Sequence, residues 1–339
     1  GLRANVNNCI GYQDEQTIIY PAGSNIVIYN IDQKTQKLIP NSEKSTALTT
    51  ICISQNKRYI AVAEKIGDKP LVTVYDLHTL RKRKAFSIPD TSSNEVISMC
   101  FSPDSKHLIT QTGAPDWSLN YWSWEKSKVM ASIKITANLP PSATVSQISF
   151  NPQDNSQIIV IGNGVFKMYR FADGVLKNFL SLKQEMHNFV SHAWLNEDRI
   201  VVGSNKAELF LVENCEILSE FKMYDIKEKE RYVMIYFNLY FYEKCLLIYF
   251  FFIFSILNRR SSVSNSLSEN KINNLPDSHN VTAIVPYSKG FIASSGKGRA
   301  FLYEKTDDKE HYRKARELKI PPDPASNDST QTAEQYILS

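Results

Sequence analysis

VISMCFSPDSKHLITQT, residues 96–112, followed by SLNYWSWE, residues 118–125, decides the fold. Met99 and Phe101 alternate with Ser98, Cys100 and Ser102, which is the period of a strand. Ser102-Pro103-Asp104-Ser105-Lys106 reads as a turn, because Pro presets one dihedral while Asp and Ser bond their own backbone. Leu108–Thr112 reads as a second strand and Leu119–Trp124 as a third. One antiparallel meander of this size cannot bury both faces alone, so it needs neighbours of its own kind.

The chain supplies them. Ile51-Cys52-Ile53-Ser54, Met99-Cys100-Phe101-Ser102 and Ile148-Ser149-Phe150-Asn151 place apolar residues in the same two alternate slots. The equivalent anchors Tyr12, Ser54, Ser102, Asn151 and Leu195 lie 42, 48, 49 and 44 residues apart. A period in the forties with several strands in each period is the pattern of a β-propeller, whose radial packing hides most sheet edges. First strands are expected at Asn8–Tyr12, Thr49–Ser54, Val145–Asn151, Phe189–Leu195 and Val281–Tyr287 besides the opening stretch. Fourth, outer strands are expected at Lys37–Ile39, Lys82–Ile88, Val129–Ile135, Leu176–Ser181 and Ala315–Ile320, with Lys305–Arg316 read as a charged connector. The Gly-His pair common in such blades is missing, and Tyr75-Asp76 and Tyr121-Trp122 stand where a Trp-Asp pair would be. Tyr336-Ile337-Leu338 reads as the start of a further first strand. The expected fold is therefore all-β, about six blades of a seven-bladed ring, divided as residues 1–224 (blades one to five), 225–280 (an insertion) and 281–339 (blade six and the start of the next).

The insertion is marked by the interval from Leu195 to Tyr287, 92 residues, about twice the others. Tyr232–Leu257 is rich in Tyr, Phe, Ile and Leu, and Arg259–Asn280 is rich in Ser and Asn. Three readings of the first part are open. Asn238, Glu243 and Lys244 interrupt a transmembrane helix and leave Cys245–Leu257, too short for an untilted span. The run also fits outer strands of a blade, or translated non-coding sequence, since these residue types come from A/T-rich codons.

A net charge of +4 over 339 residues argues neither for nucleic acid nor for an acidic substrate. The five cysteines are odd in number, far apart and without C-x-x-C spacing, so metal and disulfide frameworks are not expected, and a reducing compartment fits. The chain opens Gly1-Leu2-Arg3 with no secretory pattern, and an internal starting point is expected.

Several strings are more specific. They are Gly1-Leu2-Arg3-Ala4-Asn5-Val6, Asp14-Glu15-Gln16-Thr17 with Tyr20-Pro21-Ala22-Gly23, and Tyr29-Asn30-Ile31-Asp32-Gln33. Trp124-Glu125-Lys126 with Lys128-Val129-Met130-Ala131, and Ser288-Lys289-Gly290-Phe291, complete the set. Together they resemble the N-terminal WD40 region of the cilia- and flagella-associated protein 57 family, over about residues 1–221 and 281–339. The resemblance implies a WD-repeat scaffold followed in the whole protein by a coiled coil. It implies a place in the axoneme of the cilium or flagellum, within cytoplasm and cytoskeleton, and a role in motility through inner dynein arm and regulatory complexes. Residues 222–280 depart from the family, which has a polar loop there, and this weighs against a membrane role.

Candidate chemistry is sparse. His107 and His192 lie near first strands with no repeat-matched acid or Ser/Cys partner, and read as packing or hydrogen-bonding residues. Cys52 and Cys100 occupy matching slots, which says small and buried rather than nucleophilic. Arg81-Lys82-Arg83-Lys84 is the densest basic run: a solvated outer strand, or a contact for an acidic protein partner such as a tubulin-like surface. No stacking aromatics flank it, which disfavours nucleic acid. Alternation sends Trp122 and Trp124 to one face, for packing between blades, while Trp117 beside them is a candidate interface anchor. The expected function is non-catalytic protein–protein scaffolding, with axonemal dynein-arm or microtubule-associated partners and no cofactor, metal or small-molecule substrate. Two alternatives stand beside it. One is a propeller tethered to a membrane through Tyr232–Leu257. The other is a propeller hydrolase, for which Asp68, Asp90, Asp116 and Glu185 are the loose candidates.

Overall fold

The computed structural model describes residues 9–137, 139–182, 187–195, 199–223, 281–295, 299–306 and 312–319. Among them, 24 strands fall into six antiparallel sheets of four, each built from strands consecutive in the chain. Blade one holds β1 (Gly11–Tyr12), β2 (Thr17–Ala22), β3 (Asn25–Asn30) and β4 (Thr35–Pro40). Blade two holds β5 (Ala47–Ile53), β6 (Tyr59–Ile66), β7 (Lys69–Asp76) and β8 (Arg81–Ser87). Blade three holds β9 (Val96–Phe101), β10 (Leu108–Thr112), β11 (Ser118–Ser123) and β12 (Lys128–Lys134). Blade four holds β13 (Thr144–Asn151), β14 (Asp154–Asn163), β15 (Val165–Ala172) and β16 (Val175–Ser181). Blade five holds β17 (Phe189–Trp194), β18 (Arg199–Ser204), β19 (Glu208–Glu213) and β20 (Glu216–Lys222). Blade six holds β21 (Val281–Tyr287), β22 (Gly290–Ser295), β23 (Arg299–Lys305) and β24 (Tyr312–Lys319). The first strand of each blade lies beside the first strand of the next, so the six surround one axis.

The turn at residues 102–106 forms as its chemistry demands. Ser102 Oγ donates to Asp104 Oδ1 (2.6 Å) and accepts from the His107 amide (2.9 Å), and the Lys106 amide donates to Asp104 Oδ1 (3.1 Å). Blade two repeats it: Ser54 Oγ donates to Asn56 Oδ1 (2.7 Å) and accepts from the Tyr59 amide (2.8 Å). Lys57 and Ser105, one in each turn, take the same left-handed conformation (φ 60° for both).

Among the described residues the apolar core is divided into five clusters, one between each pair of consecutive blades. Between blades two and three, Tyr59, Val72 and Phe86 meet Phe101, Trp122 and Trp124. Each such side chain contributes roughly 1.5–3 kcal/mol on leaving water, so stability is held at the blade interfaces. Gly203 shows how closely blades five and six approach, since an added Cβ would overlap the Val281 side chain.

Bulges recur in register. In blades two to six one extra residue interrupts the first strand: Thr49, Ile97, Ser146, Val190 and Thr282. Another interrupts the fourth: Arg83, Met130, Phe179, Leu218 and Ala315.

Four boundaries differ from expectation. In blade one only Gly11–Tyr12 pairs, and Asn8 lies outside the described residues. The third strand of blade three ends at Ser123, because Trp124 opens a 3-10 turn closed by Ser127 in the left-handed region. Blade five has an outer strand, β20, for which sequence offered no candidate, because its Glu and Ser positions blur the apolar alternation. The charged connector yields its last residues to β24, where Tyr312 is buried against Phe291 while Arg313–Arg316 face solvent, as suits an outer edge. The doubled interval thus falls between β20 and β21. Tyr232–Leu257, Glu185 and Tyr336–Leu338 lie outside the described residues.

Candidate functional site

The six first strands enclose an axial cavity of about 160 Å³, to which each blade contributes, among others, Tyr12, Cys52, Cys100, Ser149, His192 and Pro286. Polar side chains clasp the strands around it. Ser98 Oγ accepts from the Ile148 amide (3.2 Å), Gln147 Oε1 accepts from the His192 amide (2.8 Å), and Ser191 Oγ donates to the Val281 carbonyl (2.9 Å). Each clasp comes from the same position of its blade, four residues before the anchor, and reaches the first strand of the next. Thr50 stands at that position in blade two, and its hydroxyl has no partner among the described residues.

His192 hydrogen-bonds a serine that no matched position in the repeats disclosed. Ser149 Oγ lies 2.6 Å from His192 Nε2 and accepts from Trp194 Nε1 at 3.0 Å. The contact crosses from β13 to β17, so no spacing within one repeat could disclose it. The indole can only donate, so the hydroxyl accepts from it; the direction of the bond to His192 Nε2 follows the imidazole tautomer, and the other ring nitrogen is Nδ1. That atom is buried with no partner among the described residues, so no carboxylate there orients the ring. Burial pushes the imidazole down from 6.5 to about 3, far below what a general base at neutral pH needs. The pair is built as a buried hydrogen bond between blades.

The imidazole resonances of His192 are therefore expected not to titrate between about pH 8 and about pH 5, where a solvated histidine would. An NMR midpoint near 6.5 would overturn the burial. The unfolded chain takes up this proton below about 6.5 and the folded chain refuses it until about 3, so acidification through that window costs stability.

The cavity thiols are also subdued. Burial, then the neighbouring Cys100 thiol, holds Cys52 well above its ordinary value, and burial pushes Cys100 up to about 11. His107 leans on the Tyr121 ring (centroids 5.1 Å apart) and is a packing residue.

The acidic candidates do not converge. Asp68 and Asp90 are exposed in separate turns. Asp116 is a structural cap that ties the connector between blades two and three to blade three. It accepts from the Ser92 amide, from Thr91 Oγ1 (3.0 Å) and from Lys134 Nζ (3.1 Å). The Ser92 hydrogen bond foremost, against the opposing effect of burial, and then Lys134 hold its carboxyl below the ordinary value.

Arg81, Lys82, Arg83 and Lys84 are all exposed on β8, the outer edge of blade two. Trp117 is not brought to them. It is half-buried just before β11 in blade three, and packs against the cluster between blades three and four. Trp122 and Trp124 pack between blades, as alternation required. No helix among the described residues is long and apolar enough to cross a membrane.

Residues 5–241 match the family described as the CFAP43 N-terminal domain. The mouse protein called cilia- and flagella-associated protein 57 is 41% identical over 344 residues, covering 100% of this chain and 26% of that protein. Cilia- and flagella-associated protein 57 C of Tetrahymena thermophila is 28% identical, over 51% of this chain and 14% of its own length. The chain thus spans about a quarter or less of these relatives. Among solved structures, the WD40 repeats of RRP9 superpose with a TM-score of 0.63 over 94% of this chain and 82% of that one, at 10% identity. That likeness speaks for the WD40 propeller fold alone.

Proposed function

Since this chain belongs to the CFAP43 N-terminal domain family, we propose that it is a non-catalytic scaffold of the ciliary or flagellar axoneme, serving inner dynein arm assembly or regulation and hence motility. The observation that carries the reading is a rigid WD40 ring with a likeness to cilia- and flagella-associated protein 57 along its whole length. Propellers hold loops and outer strands in fixed positions, and proteins bind there. Protein contacts are assigned to Arg81, Lys82, Arg83 and Lys84, where an acidic partner would meet four exposed cations, and to the half-buried Trp117 of blade three. Residues 225–280 are taken as an insertion between blades five and six.

Fractionated cilia test this. The protein is expected in the detergent-insoluble axoneme, released by salt together with inner-arm components. Recovery only in detergent-soluble membranes would replace the scaffold with a tethered propeller. Turnover of a chromogenic glycoside or ester panel would revive an enzyme.

A further inference from the structure

The fourth-strand bulges do more than bend the blade edges. Each leaves one residue out of the ladder. In blades three and four that residue is large, apolar and exposed: Met130 (38%) and Phe179 (37%). Val175 and Leu180, also exposed on β16, extend the apolar surface, and β12 and β16 lie against one another. The Arg170 guanidinium sits over the Phe179 ring, 4.8 Å from its centroid, and holds it in place.

The charge on the outer strands of blades two to four has one sign, although Glu125 and Asp173 are exposed in the turns that lead into β12 and β16. Strands β8, β12 and β16 carry seven Lys or Arg and no Asp or Glu. Of the seven, Lys134 is already paired with Asp116. Blade five differs, because its bulge residue Leu218 lies between Glu216 and Glu220. The surface is therefore cationic and apolar over blades two to four, and turns acidic at blade five.

We propose that the outer edges of blades three and four dock an acidic amphipathic helix of another protein. Its apolar stripe covers Met130 and Phe179, and its acidic flanks meet Lys128, Lys177 and the cations of β8. An added β-strand fits less well, because the bulges at Met130 and Phe179 interrupt the ladder it would need, whereas a helix satisfies its own backbone. This rests on the reading of the chain as an interaction scaffold and names the chemistry of one partner.

The test uses the full chain and a labelled synthetic helix of about 18 residues, with leucines at i, i+3, i+4 and i+7 and glutamates elsewhere. Fluorescence anisotropy is expected to show binding that weakens with salt. Binding should fall at least about tenfold for Phe179→Glu and for Met130→Glu, and should stay unchanged for Leu218→Glu. A scrambled peptide of the same composition, or one with lysines for glutamates, should bind at least about tenfold more weakly. Equal binding of the scrambled peptide, no loss in Phe179→Glu, or equal loss in Leu218→Glu overturns the proposal. Circular dichroism and unfolding midpoints of the variants separate loss of the surface from loss of the fold. A chain that fails here yet fractionates with axonemes would refute this surface and leave the scaffold standing.

Discussion

Trp124→Ala is expected to destabilise the folded chain by about 3–5 kcal/mol, read as a shift of the denaturant midpoint. Trp124 is 1% exposed, and its ring lies 4.8 Å from Tyr59 and 6.0 Å from Phe101 by centroid distance. Its Nε1 donates to the Ser105 carbonyl at 2.9 Å, which pins the Ser102–Lys106 turn to the end of β11. Removing it opens a cavity between blades two and three and strands that carbonyl. Trp124→Phe keeps most of the volume and loses the hydrogen bond, so about 1 kcal/mol or somewhat more is expected. An alanine variant with an unchanged midpoint would mean that this interface does not hold the ring together. Trp122 behaves alike, with its ring tilted against Phe86 (centroids 4.4 Å apart) and its Nε1 donating to Thr110 Oγ1 (3.0 Å).

Asp76→Ala should cost about 3 kcal/mol, because one carboxylate serves two turns. It is 2% exposed, and its Oδ1 accepts from the amides of His78 (3.0 Å) and Thr79 (3.1 Å). Its Oδ2 accepts from Arg58 Nε (3.2 Å), reaching across to the turn between β5 and β6. Burial alone would raise the pKa; the Thr79 amide, Arg58 and the His78 amide outweigh it and hold the carboxyl below 3.8. With a depressed folded value, the stabilisation is complete above the unfolded pKa and is lost as pH falls through the folded one. The gap in stability between the native chain and Asp76→Asn should therefore be constant near neutrality and shrink below about pH 4. A gap independent of pH would show that Asp76 is not held ionised by these partners.

These two residues also mark how far a linear reading reaches. The tyrosine-aspartate pair at 75–76 stood out as a replacement for a Trp-Asp dipeptide, but nothing local said that Arg58 would be its third partner. Trp122 and Trp124 were assigned to one face by alternation, and the structure puts them on one face, against blade two. The Ser102–Lys106 turn was legible in its internal hydrogen bonds, which lie within five residues of chain, but its ties to Asn56, Trp124 and Asn155 were not.

Cross-blade chemistry was not legible. Ser149 and His192 stand 43 residues apart, and the clasps from Ser98, Gln147 and Ser191 span 50, 45 and 90. The outer strand β20 was missed because a solvent-facing edge tolerates charges that obscure the period of two.

What the order of residues determined by itself was the repeating meander, its period in the forties and the face on which each strand hides its apolar side chains. These follow from interactions between near neighbours: the strand pleat, turn hydrogen bonding and the need of one meander for another. Only the tertiary structure decided which blade supplies the partner of a buried polar group. It alone set Phe179 and Met130 outward at bulges and gathered six first strands about one cavity. Those outcomes depend on how far each sheet rotates from the last, a quantity set by packing between residues distant in the chain.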